Sequence, residues 1–146
     1  MASEEKGAGI SMDGLRESAA AAIAGLEVAA VYLFGSRAKG TARSDSDYDI
    51  AVLFPEGIEA LSRLDMTALI QDRLSRSLGA AADVIDLNSA PDILAFQVLR
   101  YGRLLIRRDE HARIGYEVAL RKRYMDFDPY RRLYIARTIG QLARGE

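Results

Sequence analysis

The stretch GSRAKGTARSDSDYDIAV, residues 35–52, decides the fold of this 146-residue chain. A compact apolar run at residues 28–34 (VAAVYLF) precedes it and predicts a buried strand, because the run is short and ends at a glycine. Residues 35–46 are rich in Gly, Ser, Thr, Arg and Asp, which predicts a polar, flexible loop. Residues 47–54 (DYDIAVLF) then read as a second strand. The sequence therefore predicts two strands joined by a polar loop.

The acidic residues at the start of the second strand share one of its faces. Successive side chains of a strand point to opposite faces, so Asp47 and Asp49 lie on one face and Tyr48 and Ile50 on the other. Two adjacent carboxylates repel each other unless a cation neutralises them, and carboxylate oxygens are ligands that suit Mg²⁺. We therefore predict that Asp47 and Asp49 bind a metal ion.

The beginning of the same stretch suits a phosphate group. Gly35 and Ser36 follow the first strand directly, and a helix that began at Ser36 would direct backbone N–H groups and a hydroxyl towards an anion. Arg37 and Arg43 add positive charge to the same loop. The stretch matches neither the Walker A loop nor the G-x-G-x-x-G dinucleotide motif. A phosphate cradle beside a carboxylate pair predicts a site for a nucleoside triphosphate with Mg²⁺.

The rest of the chain alternates helices and strands. Its order predicts a single α/β (α+β) unit: a small mixed sheet with helices packed on one face, plus a C-terminal helical tail. Residues 1–10 are expected to form a flexible N-terminus. Apolar periodicity, caps and breakers place helices at 11–24, 59–78, from Pro91 to about 101, at 110–125 and at 129–143, and strands at 82–87 and 104–106.

Composition excludes several kinds of site. The chain has no cysteine, which excludes disulfides, thiolate catalysis and Cys-based zinc sites. A single histidine, His111, argues against a Ser-His-Asp triad and against a His-rich metal site. No apolar run approaches the ~18 residues of a membrane span, and the N-terminus lacks the layout of a signal peptide. We therefore expect a cytoplasmic protein that does not bind membranes.

The charges nearly cancel but are unevenly distributed. Residues 1–99 carry 8 basic and 15 acidic residues, and residues 100–146 carry 12 basic and 6 acidic, which gives the net charge of −1. The balance argues against direct nucleic-acid binding. The basic tail has two interpretations: solvated helix faces, or an Arg-rich surface that docks a partner protein.

The motif G-S-x10-D-x-D, carried by Gly35, Ser36, Asp47 and Asp49, resembles that of the minimal nucleotidyltransferases of the DNA polymerase β superfamily. The likeness covers roughly residues 11–107, which would form the catalytic domain, and leaves 108–146 as a helical extension. The stretch from Asp83 onwards and the helical tail also resemble the antitoxin branch of these enzymes, whose partners are HEPN-type toxins.

This resemblance implies a two-Mg²⁺ nucleotidyl transfer. Gly35 and Ser36 would hold the triphosphate, while Asp47 and Asp49 would bind the metal ions. A third carboxylate on a neighbouring strand would complete the site, and the resemblance favours Asp83. Asp83 and Asp86 lie three residues apart and so point to opposite faces of a regular strand. Alternation argues mildly for Asp86, because Asp83 shares its face with residues that look like core, unless a bulge intervenes.

Three functions remain open from the sequence. The resemblance implies an ATP-dependent enzyme that transfers AMP to a tyrosine of a cognate HEPN-type toxin and so neutralises it. A non-catalytic antitoxin could instead act by stoichiometric binding of the toxin. Transfer of a nucleotide to a small molecule such as an antibiotic would require a substrate pocket that a chain of this length has to borrow.

Overall fold

The computed structural model describes residues 9–43, 45–126 and Arg137, and all structural statements concern these residues. They form alternating helices and strands in nearly the predicted order. The helices are α1 (Met12–Ala22), α2 (Gly35–Lys39), α3 (Ala60–Leu78), α4 (Asp92–Tyr101) and α5 (Glu110–Asp126), with a 3₁₀ turn at Leu87–Ser89, and the strands are β1 (Ala30–Phe34), β2 (Tyr48–Leu53), β3 (Ala82–Asp86) and β4 (Arg103–Arg107).

The strands form one mixed sheet in the order β3-β2-β1-β4. β1 pairs antiparallel with β2 and with β4, whereas β2 and β3 run parallel. Phe34 at the end of β1 lies opposite Asp49, and Asp49 in turn lies opposite Asp83 of β3. The end of β1 and the starts of β2 and β3 therefore meet at one end of the sheet, which confirms the predicted mixed α/β architecture.

Helices cover both faces of the sheet, which corrects the prediction of helices on one face. Val31 and Leu33 of β1 are buried in a cluster with α1 and α3, whereas Ala30 and Tyr32 are buried in a second cluster with α4 and α5. Because β1 is apolar on both of its faces, each face needs a covering layer. The continuous apolar run at residues 28–34 carries this signal.

The helix α2 is a second difference, since residues 35–46 were expected to form a loop. Gly35 begins this helix, and Gly40 ends it in the left-handed region with φ +76°. Five residues are too few to display an apolar helical period, so the pattern could not reveal this helix. At other helix ends, the Ser11 hydroxyl accepts from the Gly14 N–H at 3.1 Å, and Gly79 follows α3.

Helix α5 packs against α4 and the second cluster. The rings of Phe96 and Tyr124 stack at 3.9 Å, and Arg123 forms an ion pair with Asp92. The Tyr116 hydroxyl donates to the Leu87 carbonyl at 3.0 Å. The second predicted tail helix, residues 129–143, lies outside the described residues apart from Arg137. None of the described helices combines the length and the apolar character that a membrane-spanning helix requires.

Candidate active site

Gly35 and Asp49 are in direct contact where β1 ends. Gly35 has φ +73°, a conformation that disfavours every residue with a Cβ. A Cβ at this position would lie 3.0 Å from the Asp49 Cγ and would collide with the Asp49 carboxylate oxygen. The site therefore requires glycine twice, once for the backbone turn and once for the space that the carboxylate occupies.

Asp49 is partly buried and lies near the two other acidic residues of the predicted site. Its pKa is raised by partial burial, then by the charge of Asp83 and then by that of Asp47. The alternation predicted for β2 is confirmed, because Tyr48 and Ile50 are buried on the opposite face. Asp47 and Asp83 therefore both lie close enough to Asp49 for their charges to act on it.

The pairing of β2 with β3 separates Asp83 from Asp86. Asp83 is exposed and lies opposite Asp49, and the register between the strands is regular, so no bulge is involved. Asp86 instead accepts from the Arg63 Nε at 2.8 Å, in an ion pair whose two side chains are 17% and 13% exposed. It also accepts from the Asn88 N–H at 3.0 Å and the Ser89 hydroxyl at 2.8 Å. Asp86 is therefore occupied in holding the end of β3.

The face that Asp83 occupies is the one that alternation predicts. Asp83 shares its face with Ile85 and Leu87, and both belong to the second cluster. Asp49 shares its face with Ala51 and Leu53 of that same cluster. Asp49 and Asp83 therefore lie near the starts of their strands, before the part of this face that the second cluster covers. A residue can therefore be exposed at the end of a strand even when the residue two positions later on the same face is buried in the core.

Ser36 lies in the first turn of α2, directly after Gly35. Its carbonyl accepts from the Thr41 N–H at 3.0 Å and from the Thr41 hydroxyl at 3.4 Å, which closes the end of the short helix. The N-terminus of α2 has no side-chain cap. Backbone N–H groups at a helix N-terminus favour an anion, so Gly35 and Ser36 sit where a phosphate could be held beside Asp49.

Arg37, predicted to bind nucleotide, is engaged within the protein. Its Nε and Nη2 donate to the Ser46 carbonyl at 3.1 and 2.7 Å, and its guanidinium lies 4.0 Å from the centre of the Tyr48 ring. These contacts fix the segment that leads into Asp47. Arg37 thus holds the end of the loop next to Asp47 in place.

Arg43, the other cation predicted to bind nucleotide, lies on the outer part of the loop with an exposed side chain. Its backbone N–H donates to the Ser46 hydroxyl at 2.8 Å. Ser46 therefore closes the loop from both sides, through its hydroxyl and through its carbonyl. Sequence reasoning missed Ser46, because a serine among polar loop residues carries no pattern that distinguishes it.

The carboxylates are neighbours, but they do not form a ready-made metal site. Within the described part of the chain, no three His, Asp or Glu side chains are grouped so that they could hold one metal ion. Nor does any described Lys or Arg form an ion pair with Asp47, Asp49 or Asp83. The group therefore offers oxygen ligands whose charge the described residues leave uncompensated.

Comparisons with known proteins point to one family. A family model described as polymerase beta, nucleotidyltransferase matches residues 20–111. The chain is 36% identical over 75 residues to the protein adenylyltransferase MntA of Shewanella oneidensis strain MR-1. That match covers 51% of each protein, so the chain spans about half the length of the curated relative that it matches.

Solved structures agree on the fold. A chain of the crystal structure of a toxin–antitoxin with AMP-PNP superposes with a TM-score of 0.65 at 25% identity, covering 89% of this chain and 99% of that chain. A chain of the structure of tri-AMPylated Shewanella oneidensis HEPN toxin in complex with MNT antitoxin has a TM-score of 0.58 at 23% identity, covering 88% and 95%. The second likeness shows the fold alone.

The matched family region contains the whole candidate site. Gly35, Ser36, Asp47, Asp49 and Asp83 all fall within residues 20–111, which make up more than half of the chain. The contact between Gly35 and the Asp49 carboxylate gives this match a physical basis. The chain belongs to the polymerase beta nucleotidyltransferase family.

Proposed function

We propose that this chain is a Mg²⁺-dependent nucleotidyltransferase antitoxin, which transfers AMP from ATP to a tyrosine hydroxyl of a cognate HEPN-type toxin and thereby neutralises it. The observation that carries the proposal is the meeting of Gly35, Asp49 and Asp83 at one end of the sheet. This meeting supports a triphosphate site at the Gly35 turn next to oxygen ligands, as nucleotidyl transfer requires.

The relatives supply the substrate and the partner in this proposal. The relative from Shewanella oneidensis is named a protein adenylyltransferase. One matched structure is a toxin–antitoxin with AMP-PNP, an ATP analogue, and another holds an AMPylated HEPN toxin. Extension of these properties to this chain gives ATP as the nucleotide and a HEPN-type protein as the acceptor.

The chemistry of the donor set fits Mg²⁺. Mg²⁺ is usually held by one or two carboxylates together with substrate phosphates and waters, and not by a complete protein cage. Asp47, Asp49 and Asp83 offer carboxylate oxygens of this kind without forming a three-ligand site by themselves. The pKa of Asp49 is raised by burial and then by the charges of Asp83 and Asp47, and a divalent cation would offset those charges. When bound, Mg²⁺ would stabilise the negative charge that develops on the phosphates.

Each site residue then has a defined task. Gly35 and Ser36 hold the triphosphate through backbone N–H groups and the Ser36 hydroxyl. Asp47, Asp49 and Asp83 would hold the metal ions, and Asp83 would also accept the proton of the acceptor hydroxyl. The tyrosine oxygen attacks the α-phosphorus in line, the new O–P bond forms, and the bond to the β-phosphate oxygen breaks to release pyrophosphate.

The remaining assignments concern the surroundings of the site. We assign the triphosphate-facing cations to Arg37 and Arg43, with Arg37 acting also through the loop that it orders. Residues 11–107 form the catalytic domain, and the basic extension 108–146 is the region that meets the toxin. Neither membrane nor nucleic acid takes part, and the absence of cysteine supports a cytoplasmic setting.

The decisive experiment is a labelling assay with the purified chain, Mg²⁺, labelled ATP and the protein encoded beside it, which we expect to be HEPN-type. We expect label on a tyrosine of that protein and loss of its ribonuclease activity. The variant Asp47→Asn/Asp49→Asn should abolish labelling. Asp45→Asn is the matched control, because it removes an exposed carboxylate from the same loop and should leave labelling unchanged.

The same assay separates the alternatives. If the double variant still neutralises the toxin in cells, then stoichiometric binding suffices and the catalytic proposal is wrong. If the active chain labels a small hydroxylated molecule and leaves the neighbouring protein unlabelled, then the acceptor has been misassigned. Omission of Mg²⁺ should stop labelling without dissociating any complex that the two proteins form.

A further inference from the structure

Tyr101 stands at the same end of the sheet as the candidate active site. It is the last residue of α4, and its side chain is 56% exposed. The next residue, Gly102, packs so closely on β1 that a Cβ there would lie 2.8 Å from the Leu33 carbonyl oxygen. Leu33 precedes Gly35 by only two residues, so the end of α4 is tied to the end of β1 where the site begins.

Two cations flank the Tyr101 ring. The Lys39 Nζ lies 5.8 Å and the Arg100 Cζ 5.5 Å from the ring centre. Lys39 is the last residue of α2, which begins at Gly35, and four residues of helix rise separate the two by about 6 Å. The phenol thus lies one short helix away from the phosphate-binding turn, with two positive charges beside it.

The other tyrosines in the described residues are committed to packing or to hydrogen bonds. Tyr32 and Tyr48 are buried, and the Tyr32 hydroxyl donates to Glu117 at 3.0 Å. The Tyr116 hydroxyl donates to a backbone carbonyl, and Tyr124 is stacked on a phenylalanine. Within the described part of the chain, Tyr101 is the tyrosine whose side chain is mainly solvent-exposed, and it stands at the end of the sheet where the site lies.

We propose that Tyr101 is a self-adenylylation site, which the chain modifies with its own active site within the same molecule. This inference rests on the proposed function. The Tyr101 oxygen attacks the α-phosphorus of ATP, an O–P bond forms, the bond between the α-phosphorus and the bridging oxygen breaks, and pyrophosphate leaves. The phenol proton passes to a site carboxylate. Lys39 and Arg100 then lie beside the new phosphodiester and pair with its negative charge.

The test uses the full chain with Mg²⁺ and ATP, first alone and then with the HEPN-type protein. Intact mass spectrometry should show the addition of one AMP, and fragmentation should locate it on Tyr101. Tyr101→Phe should abolish self-labelling while the toxin-directed rate and the melting temperature stay unchanged. Asp47→Asn/Asp49→Asn should abolish both kinds of labelling.

The outcomes distinguish this inference from the function on which it rests. If the HEPN-type protein is labelled and Tyr101 is not, then the self-modification is wrong and the proposed function stands. If neither is labelled by the active chain, then the proposed function fails first. Self-label found on Tyr130 or Tyr134, or unaffected by Tyr101→Phe, would overturn the assignment to Tyr101.

A mixing experiment tests whether transfer occurs within one molecule. Active Tyr101→Phe chain is combined with the inactive Asp47→Asn/Asp49→Asn chain, whose Tyr101 is intact. Intramolecular transfer predicts no label on the inactive chain and a wild-type rate per molecule that does not change on dilution. Label on the inactive chain would show transfer between copies and would contradict the intramolecular step.

Discussion

Gly35 leaves the space that the Asp49 carboxylate fills. Gly35 directly follows β1, and Asp49 lies in the adjacent antiparallel strand β2, so the register that pairs Phe34 with Asp49 brings Gly35 against that carboxylate. The phosphate-binding turn and the acidic group are therefore one packed unit. A side chain added at Gly35 must therefore displace the Asp49 carboxylate.

We predict that Gly35→Ala abolishes nucleotidyl transfer. An alanine at φ +73° costs about 1–2 kcal/mol in backbone strain, and its Cβ also displaces Asp49. A displacement of about 1 Å at a reacting centre can lower the rate by about 100-fold, so we expect at least that loss in kcat/KM. The measurement is AMP transfer by the folded variant, with thermal denaturation alongside.

Gly79→Ala is the control for this prediction. Gly79 also has a positive φ, of +61°, but a Cβ there would meet no atom within 4 Å. It should cost about 1–2 kcal/mol of stability and leave the transfer rate of the folded protein unchanged. If both alanine variants lose stability equally and both keep their activity, then the contact with Asp49 has no catalytic consequence.

Asp83 and Asp86 should separate activity from stability. Asp83 is exposed beside Asp49, so Asp83→Asn is expected to lower kcat by at least about 100-fold. The same substitution should change the free energy of unfolding by no more than about 0.5 kcal/mol.

Asp86→Asn should behave in the opposite way. It weakens the ion pair with Arg63 and the hydrogen bonds that hold the 3₁₀ turn, at a cost of about 1–3 kcal/mol. Its activity should persist under conditions in which the variant is folded. Urea denaturation and initial rates measured on both variants check the pair, and an inactive but stable Asp86→Asn would reverse the assignment.

The sequence predicted most of the helices and strands and the proximity of Asp47 and Asp49. It did not predict that helices cover both faces of the sheet. The spacing from Gly35 to Asp47 and Asp49 is local, so it was readable from the chain. The choice between Asp83 and Asp86 depended on which face of β3 meets Arg63, a contact 23 residues away in the chain. The alternation of side chains predicts that the two acids point to opposite faces, but it does not predict which of the two is exposed.

Arg37 shows the same limit at a single side chain. Its positive charge beside a glycine turn indicated a phosphate ligand, yet the guanidinium donates to Ser46 and lies over Tyr48. Such contacts depend on how the loop folds back on itself, which residue type and spacing do not encode. The net charge of a loop can therefore be predicted from the sequence more easily than the contacts that each Arg or Lys side chain makes.

Arg37→Gln should therefore impair the protein in a way that ATP cannot restore. Loss of the hydrogen bonds to Ser46 and of the contact with the Tyr48 ring should cost about 1–2 kcal/mol of stability. Because the loop leading into Asp47 loosens, we expect kcat to fall at saturating ATP. Arg43→Gln should change stability by less than about 0.5 kcal/mol and raise only the KM for ATP. Steady-state kinetics with ATP titration distinguishes the two patterns.

Asp49→Asn should stabilise the nucleotide-free protein at neutral pH. The pKa of Asp49 is raised by burial and by the charges of Asp83 and Asp47, so the folded chain binds this proton more tightly than the unfolded chain does. The free energy of unfolding must then fall as the pH rises through the pKa of the folded state, and the asparagine variant escapes that loss. We expect a gain below about 1 kcal/mol at neutral pH, because the group is partly solvated.

The gain should vanish in acid, below the ordinary carboxyl range near about pH 4, where Asp49 is protonated in both states. Urea denaturation across this range in a chelating buffer measures it, with Asp65→Asn as the control for the loss of one exposed carboxylate. Addition of Mg²⁺ should stabilise the wild type more than Asp49→Asn, since a ligand that binds the folded state raises its stability. A variant less stable than the wild type at neutral pH would mean that Asp49 is held by favourable contacts and is not strained by its acidic neighbours.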